Sequence, residues 1–177
     1  MGPGIARVHI YRIAAEDPIP TLNCPPGLTV APLLPGQMSA LGEVFGSIAT
    51  SELGDAQNGQ SQCYGAWLSG RLVHYSWVQL SGSHFIRKAR RDVDIKAGEF
   101  WIYECLTSPS ARGLGIYPYV LTVICRDHLR SGGEGFIYTS EDNVTSQRGI
   151  LKAGFTWKEI LRGLRIGKRY YRCGSTR

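Results

Sequence analysis

The spacing of apolar side chains changes period several times along the chain, and each change predicts an element. After Pro35, the positions Met38, Leu41, Val44, Phe45 and Ile48 recur at steps of three and four, which predicts an amphipathic helix over 36–50. Ahead of it, residues 28–31 read as a short strand. The runs 63–68 and 72–80 are rich in aromatic and β-branched residues and are joined by Ser69-Gly70-Arg71, a hairpin signal. Residues 99–107 have the composition of a buried strand. Tyr117, Val120, Leu121, Ile124 and His128 or Leu129 then mark one helical face, which Gly132-Gly133 ends. Residues 136–139 predict another strand and 142–153 another helix, with Gly154 as its C-terminal glycine. Residues 155–160 and 164–173 form a second hairpin that turns at Gly167-Lys168. Between these elements, 51–62 is polar, and 81–98, with Arg87, Lys88, Arg90 and Arg91, reads as a long loop. Seven of the nine prolines lie in the first 35 residues, so 1–26 reads as an irregular leader and 27–177 as the folded domain. The order of strands and helices predicts a single α/β domain with helices packed on a mixed sheet.

Composition narrows the class. A chain of 177 residues with 43% apolar and 19% charged residues is globular rather than disordered. Its longest apolar stretch falls far short of the roughly 20 residues a membrane-spanning helix needs, and charges occupy the N-terminus where a signal peptide would be apolar. No membrane association and a cytoplasmic location are therefore expected. The five cysteines show no CxxC pair and the four histidines are isolated, so no metal is expected. Charge is uneven: the seven lysines and arginines after residue 155 face Glu159 alone, which accounts for the whole net charge of +6. The basic end reads as a solvated strand pair, a rim for an anionic ligand or a nucleic-acid surface, with Tyr170 and Tyr171 available for base stacking in the last case.

The most specific local pattern is Ser108-Pro109-Ser110-Ala111-Arg112-Gly113-Leu114-Gly115-Ile116-Tyr117, placed between a buried strand and an amphipathic helix. A glycine loop opening a helix is an anion cradle, because the first helical turn leaves N–H groups unpaired and the helix dipole adds partial positive charge there. Pro118 occupies the third glycine position of a dinucleotide loop, and 163–168 is one residue short of a P-loop, so neither reading fits. Arg112-x-x-Gly115-x-Tyr117 resembles the coenzyme A loop, R/Q-x-x-G-x-G/A, of the GNAT superfamily of acetyl-coenzyme-A-dependent N-acyltransferases. Asn143-x-x-Ser146, followed by Lys152-x-Gly154-Phe155, resembles that family's later helix. Tyr117 departs from the pattern, as does Ile150, which stands where many members carry tyrosine.

The resemblance covers roughly residues 28–173 and implies a mostly antiparallel GNAT-like sheet flanked by helices. It implies that the backbone of Arg112, Gly113, Leu114, Gly115, Ile116 and Tyr117 holds the pyrophosphate of acetyl-CoA. It further implies that Leu106 and Thr107 pair with pantetheine, that Asn143 and Ser146 flank it, and that Arg112 or Lys152 reaches phosphate. Asn143 also reads as a helix N-cap. Strand alternation places Glu104 on the face of Phe100, Ile102 and Leu106, making it the candidate general base, desolvated and with a raised pKa; Glu99 is second, and a salt bridge is the structural alternative for Glu104. Ser146, Tyr117, Tyr119 or water are candidates for the general acid. Tyr64, Trp67, Tyr75, Trp77, Tyr170 and Tyr171 are read as either acceptor pocket or core.

The expected function is direct N-acetyl transfer to the primary amine of a small molecule, such as an amino sugar. The alternatives are a long-chain or acyl-carrier-protein-dependent acyltransferase, a non-catalytic CoA-binding module and, less favoured, a nucleic-acid-binding module. A homodimer is left open.

Overall fold

The computed structural model describes residues 3–46, 58–130 and 132–173. Its centre is an eight-stranded sheet in the order β10-β9-β1-β8-β7-β4-β3-β2. The strands are β1 (Gly4–Ala14), β2 (Leu28–Pro32), β3 (Ser61–Leu68), β4 (Arg71–Gln79), β7 (Glu99–Thr107), β8 (Glu134–Ser140), β9 (Thr156–Ile166) and β10 (Arg169–Arg172). Two short strands, β5 (Ser83–Ile86) and β6 (Arg91–Asp94), pair with each other as a separate hairpin. The helices among the described residues are α1 (Met38–Phe45), α2 (Ile116–His128) and α3 (Val144–Lys152). All ladders in the large sheet are antiparallel except β7 with β8, whose connection runs through α2.

Three expectations are corrected. The leader expected over 1–26 contains β1, which lies inside the sheet and pairs with β8 on one side and β9 on the other. The prolines flank this strand without entering it, since Pro3 precedes Gly4 and Pro18 follows Ala14; only the stretch after it is irregular. Residues 81–98 are not a loop but carry the β5–β6 hairpin, where Ser83–Ile86 alternates exposed and buried side chains. The last hairpin turns where expected, but its first strand runs unbroken from Thr156 to Ile166. The predicted helix over 36–50 is observed as α1, preceded by a single 3-10 turn (Pro35–Gln37), and its last residues lie outside the described ones.

Apolar side chains bury on both faces of the sheet. On one face α2 and α3 cover Tyr11, Ile13, Tyr64, Val78, Phe100, Ile102 and Ile137, with Val120, Leu121, Ile124 and Ile150 pointing inward from the helices. On the other, α1 covers Cys63, Tyr75, Trp77 and Tyr103, while the β5–β6 hairpin inserts Ile86 and Ala89 against Val8, Ile10, Trp101, Phe136 and Leu161. Burial on this scale, about 25 cal/mol for each Å2 of apolar surface, fixes which strand faces which layer.

The hairpin is seated by an absence of side chain. At Gly163 on β9 a Cβ would overlap the backbone oxygen of Lys88, so only glycine lets the 87–90 turn lie flat on the sheet. Gly163→Ala is expected to cost about 1–3 kcal/mol in urea denaturation, because the obstructing atom is backbone and the whole turn must lift. It should also increase amide exchange across 83–94.

Candidate active site

β7 contains one residue too many for its neighbour. Trp77 of β4 pairs with Tyr103 and Tyr75 with Leu106, so Glu104 and Cys105 together face Ser76. This is a β-bulge, and Glu104 sits in it at φ +45°, a backbone conformation that side-chain-bearing residues seldom adopt. On its other edge β7 leaves β8: pairing ends at Ile102 with Ile137, although both strands continue. A wedge therefore opens between Tyr103–Thr107 and 138–140.

The bulge corrects the expected placement of Glu104. The extra residue reverses alternation, so Cys105 packs with Phe100 and Ile102 under the helices, and Glu104 emerges exposed on the opposite face. There it lines a cavity of about 670 Å3 together with Tyr103, His84, Lys88, Tyr138 and Ser140. The His84 ring lies 4.4 Å from that of Tyr103, and its Nε2 is 2.8 Å from the Tyr138 hydroxyl. Burial holds the His84 pKa down, to about 4, so the ring is neutral at pH 7. The Lys88 ammonium, from the β5–β6 turn, donates to the Ser140 hydroxyl at the end of β8. Lys88 belongs to the basic segment that the sequence marked, whereas sequence reading missed His84, Tyr138 and Ser140; the period-two alternation of 83–86 was the one signal that could have raised His84.

The glycine loop lies at the end of β7 as expected. Gly113 and Gly115 adopt φ of +80° and +77°, and Gly115 is the N-cap of α2. A Cβ at either glycine would meet nothing within 4 Å, so the space over this backbone is open. The first-turn N–H groups of Ile116 and Tyr117 have no acceptor within the helix. Ile116 is buried beneath the loop, Leu114 is half exposed, and Arg112 folds back to donate from Nε to the Thr107 carbonyl at 3.2 Å. The Tyr117 side chain turns away from the loop. Its hydroxyl is 3.2 Å from that of Ser146, and its ring rests on α3, where a Cβ at Gly149 would come within 2.6 Å of it. Burial keeps this phenol protonated, with its pKa well above the usual 10.

Asn143 acts as the N-cap of α3, its side-chain oxygen accepting from the Ser146 N–H at 3.1 Å. Lys152 is not brought to the loop. It is exposed in the last turn of α3, beside Gly154, whose neighbours are Pro18 and Pro20; Arg126, late in α2, donates to the Pro20 carbonyl. This is the end of the helix pair remote from Gly115, because both helices start at the same edge of the sheet. Tyr64, Tyr75 and Trp77 are core residues, and among the six aromatic candidates Tyr170 lines a groove near the site.

Behind the bulge, His74 is fully buried, with Nδ1 2.7 Å from the Thr107 hydroxyl and Nε2 2.8 Å from that of Ser76. Desolvation lowers its pKa to about 3. The same environment pushes the Cys105 thiol up to about 12, which leaves it protonated and a poor nucleophile. Among the described residues no group of three or more His, Cys, Asp or Glu is placed to hold a metal ion, and no helix is long and apolar enough to cross a membrane.

No family model and no curated protein matches the chain. Solved structures do match it. An acetyltransferase of the GNAT family from Colwellia psychrerythraea superposes with a TM-score of 0.65 at 17% identity, over 97% of this chain and 58% of that one. A GCN5-related N-acetyltransferase from Sphaerobacter thermophilus gives 0.65 at 20% identity, over 98% and 55%. One from Kribbella flavida gives 0.63 at 14% identity, over 94% and 60%. The chain thus has the GNAT fold, and it spans somewhat over half the length of these proteins.

The histidines predict a pH dependence. An unfolded histidine titrates near 6.5 and His74 in the fold near 3, so the unfolded chain binds the extra proton first. The stability from a neutral His74 is complete above pH 6.5 and is lost as pH falls toward 3. Denaturation of His74→Gln followed from pH 7 to 4 should show a shallower decline than the unsubstituted protein; parallel curves would remove His74 as the cause.

Proposed function

We propose that the chain is a GNAT-type N-acetyltransferase that moves acetyl from acetyl-CoA directly to the amine of a small molecule. The observation that carries the reading is the bulge at Glu104–Cys105 beside the lost β7–β8 pairing, which opens a wedge from the glycine loop toward a cavity containing a carboxylate. Acetyl-CoA supplies an activated thioester carbonyl. The backbone of Arg112, Gly113, Leu114, Gly115, Ile116 and Tyr117 holds its pyrophosphate. The main chain of Leu106 and Thr107, unpaired toward β8, aligns the pantetheine arm, with Ser146 flanking it.

An amine is almost wholly protonated at neutral pH, so a proton acceptor is needed before it can attack. Glu104 takes that proton, directly or through a water. Its exposure on the cavity side, rather than in the apolar core, lets the acceptor reach it. Ser146 and Tyr117, whose hydroxyls are hydrogen-bonded to each other beside the loop, supply a proton to the departing sulfur. Transfer is direct, since Cys105, with its thiol pushed up to about 12, is no acyl carrier. The cavity's size suits a small acceptor, and walls of Glu104, His84, Lys88 and Ser140 suit a polar one.

Calorimetric titration with acetyl-CoA should give micromolar binding, abolished in Gly115→Glu, which puts a side chain and negative charge over the loop; no binding to the unsubstituted protein would refute the reading. Glu104→Gln should lower kcat by about 10²- to 10⁴-fold while the Kd for acetyl-CoA stays unchanged. Cys105→Ala should keep kcat within about threefold, and loss of turnover there would overturn direct transfer.

A further inference from the structure

Two further grooves adjoin the cavity at Glu104. One, of about 270 Å3, shares Lys88 and Ser140 with it and adds Arg7 and Arg165. The other, of about 400 Å3, shares Arg87 with it and adds Arg165, Lys168 and Tyr170. Glu104 lines the cavity itself, and Arg87, Lys88, Arg165 and Lys168 line the adjoining grooves. The acids along the way are Glu141 and Asp142, and Glu141 is bridged by Arg7 at 3.1 Å.

We propose that the acceptor is an amine that also bears a phosphate group, with the amine at Glu104 and the phosphate among Arg87, Lys88, Arg165 and Lys168. The inference rests on the reading of Glu104 as the proton acceptor only for the amine end. Three observations carry the phosphate end. The cations come from two separate elements, the β5–β6 turn and the β9–β10 hairpin, and both are fixed in place. The turn lies flat on Gly163, and Arg165 pairs directly across the strands with Tyr170. Lys88 and Arg165 are half-buried, Arg87 and Lys168 stand exposed beside them, and cations brought to one groove raise the local potential that draws in a dianion. Arginine forks match phosphate oxygens two at a time, and grooves of about 400 and 270 Å3 suit a group of small size. Two of the seven cations after residue 155, Arg165 and Lys168, are thereby given a role in a site.

The probes are phosphoethanolamine and ethanolamine, which differ only in the phosphate. Binding of each is followed by chemical-shift titration of the protein, with and without acetyl-CoA. Phosphoethanolamine should bind at least about tenfold more tightly, with shifts at 87–88 and 165–170, and Arg87→Ala combined with Lys168→Ala should erase the preference. Urea denaturation of that variant controls for folding. Equal affinity for the two amines would overturn the proposal, as would a preference that the double variant keeps. Tight, steeply salt-dependent binding of an oligonucleotide without any preference between the amines would also overturn it, in favour of nucleic acid. Failure of acetyl-CoA to bind would count against the acetyltransferase reading alone, because the phosphate preference is read in its absence as well.

Discussion

One extra residue in β7 sets the geometry on which everything else depends. With Glu104 and Cys105 opposite Ser76, β7 twists away from its parallel neighbour β8 beyond Ile102–Ile137. Had the ladder continued, the main chain of 103–107 would be consumed by sheet hydrogen bonds and no wedge would exist. The bulge also decides which side chain reaches which layer: it sends Cys105 into the apolar core and Glu104 out to the cavity. A positive φ at a glutamate is energetically unfavourable, by roughly 1–3 kcal/mol, and is held by the pairing on either side. The buried Thr107–His74–Ser76 chain of hydrogen bonds ties the end of β7 to β4 where the other edge has been given up.

A sheet that opens in its middle needs reinforcement beside the opening, and β1 supplies it. This strand joins β8 to β9 along most of its length, so the half of the sheet beyond the wedge is a continuous ladder. Through it the position of β9 is fixed, and β9 carries both Gly163, on which the β5–β6 turn rests, and Arg165. The roof of the cavity, its basic end and its carboxylate are thus parts of one connected structure.

Legibility in the sequence followed the range of the determining interactions. Elements specified by local periodicity were readable: the early hairpin, β7 to the residue, α2, α3 and the turn at Gly167. The glycine loop was readable because αL conformations at Gly113 and Gly115 require glycine. β1 was hidden because its partners lie more than a hundred residues away and its flanking prolines dominated the composition of the region. The β5–β6 hairpin turns through 87–90 with Arg90 at φ +52°, so neither glycine nor asparagine announced it. The bulge left no local mark either, since it arises from register between two strands, and alternation alone therefore assigned Glu104 to the wrong face. Lys152 was misplaced because a helix-length separation is a three-dimensional fact, whereas Asn143 was legible as a cap from its residue type.

The two departures from the family pattern become intelligible together. A tyrosine at 117 would obstruct the glycine loop if its ring lay over the backbone, but Gly149 gives the ring a seat on α3, and its hydroxyl is hydrogen-bonded to that of Ser146. Ile150, where a tyrosine is common, is fully buried and fills the core between the helices instead. The phenol that this chain offers near the helix pair therefore comes from α2 and not from α3. With the ring seated on α3 the loop backbone stays open, and the missing side chain at Gly149 provides the room that the ring needs.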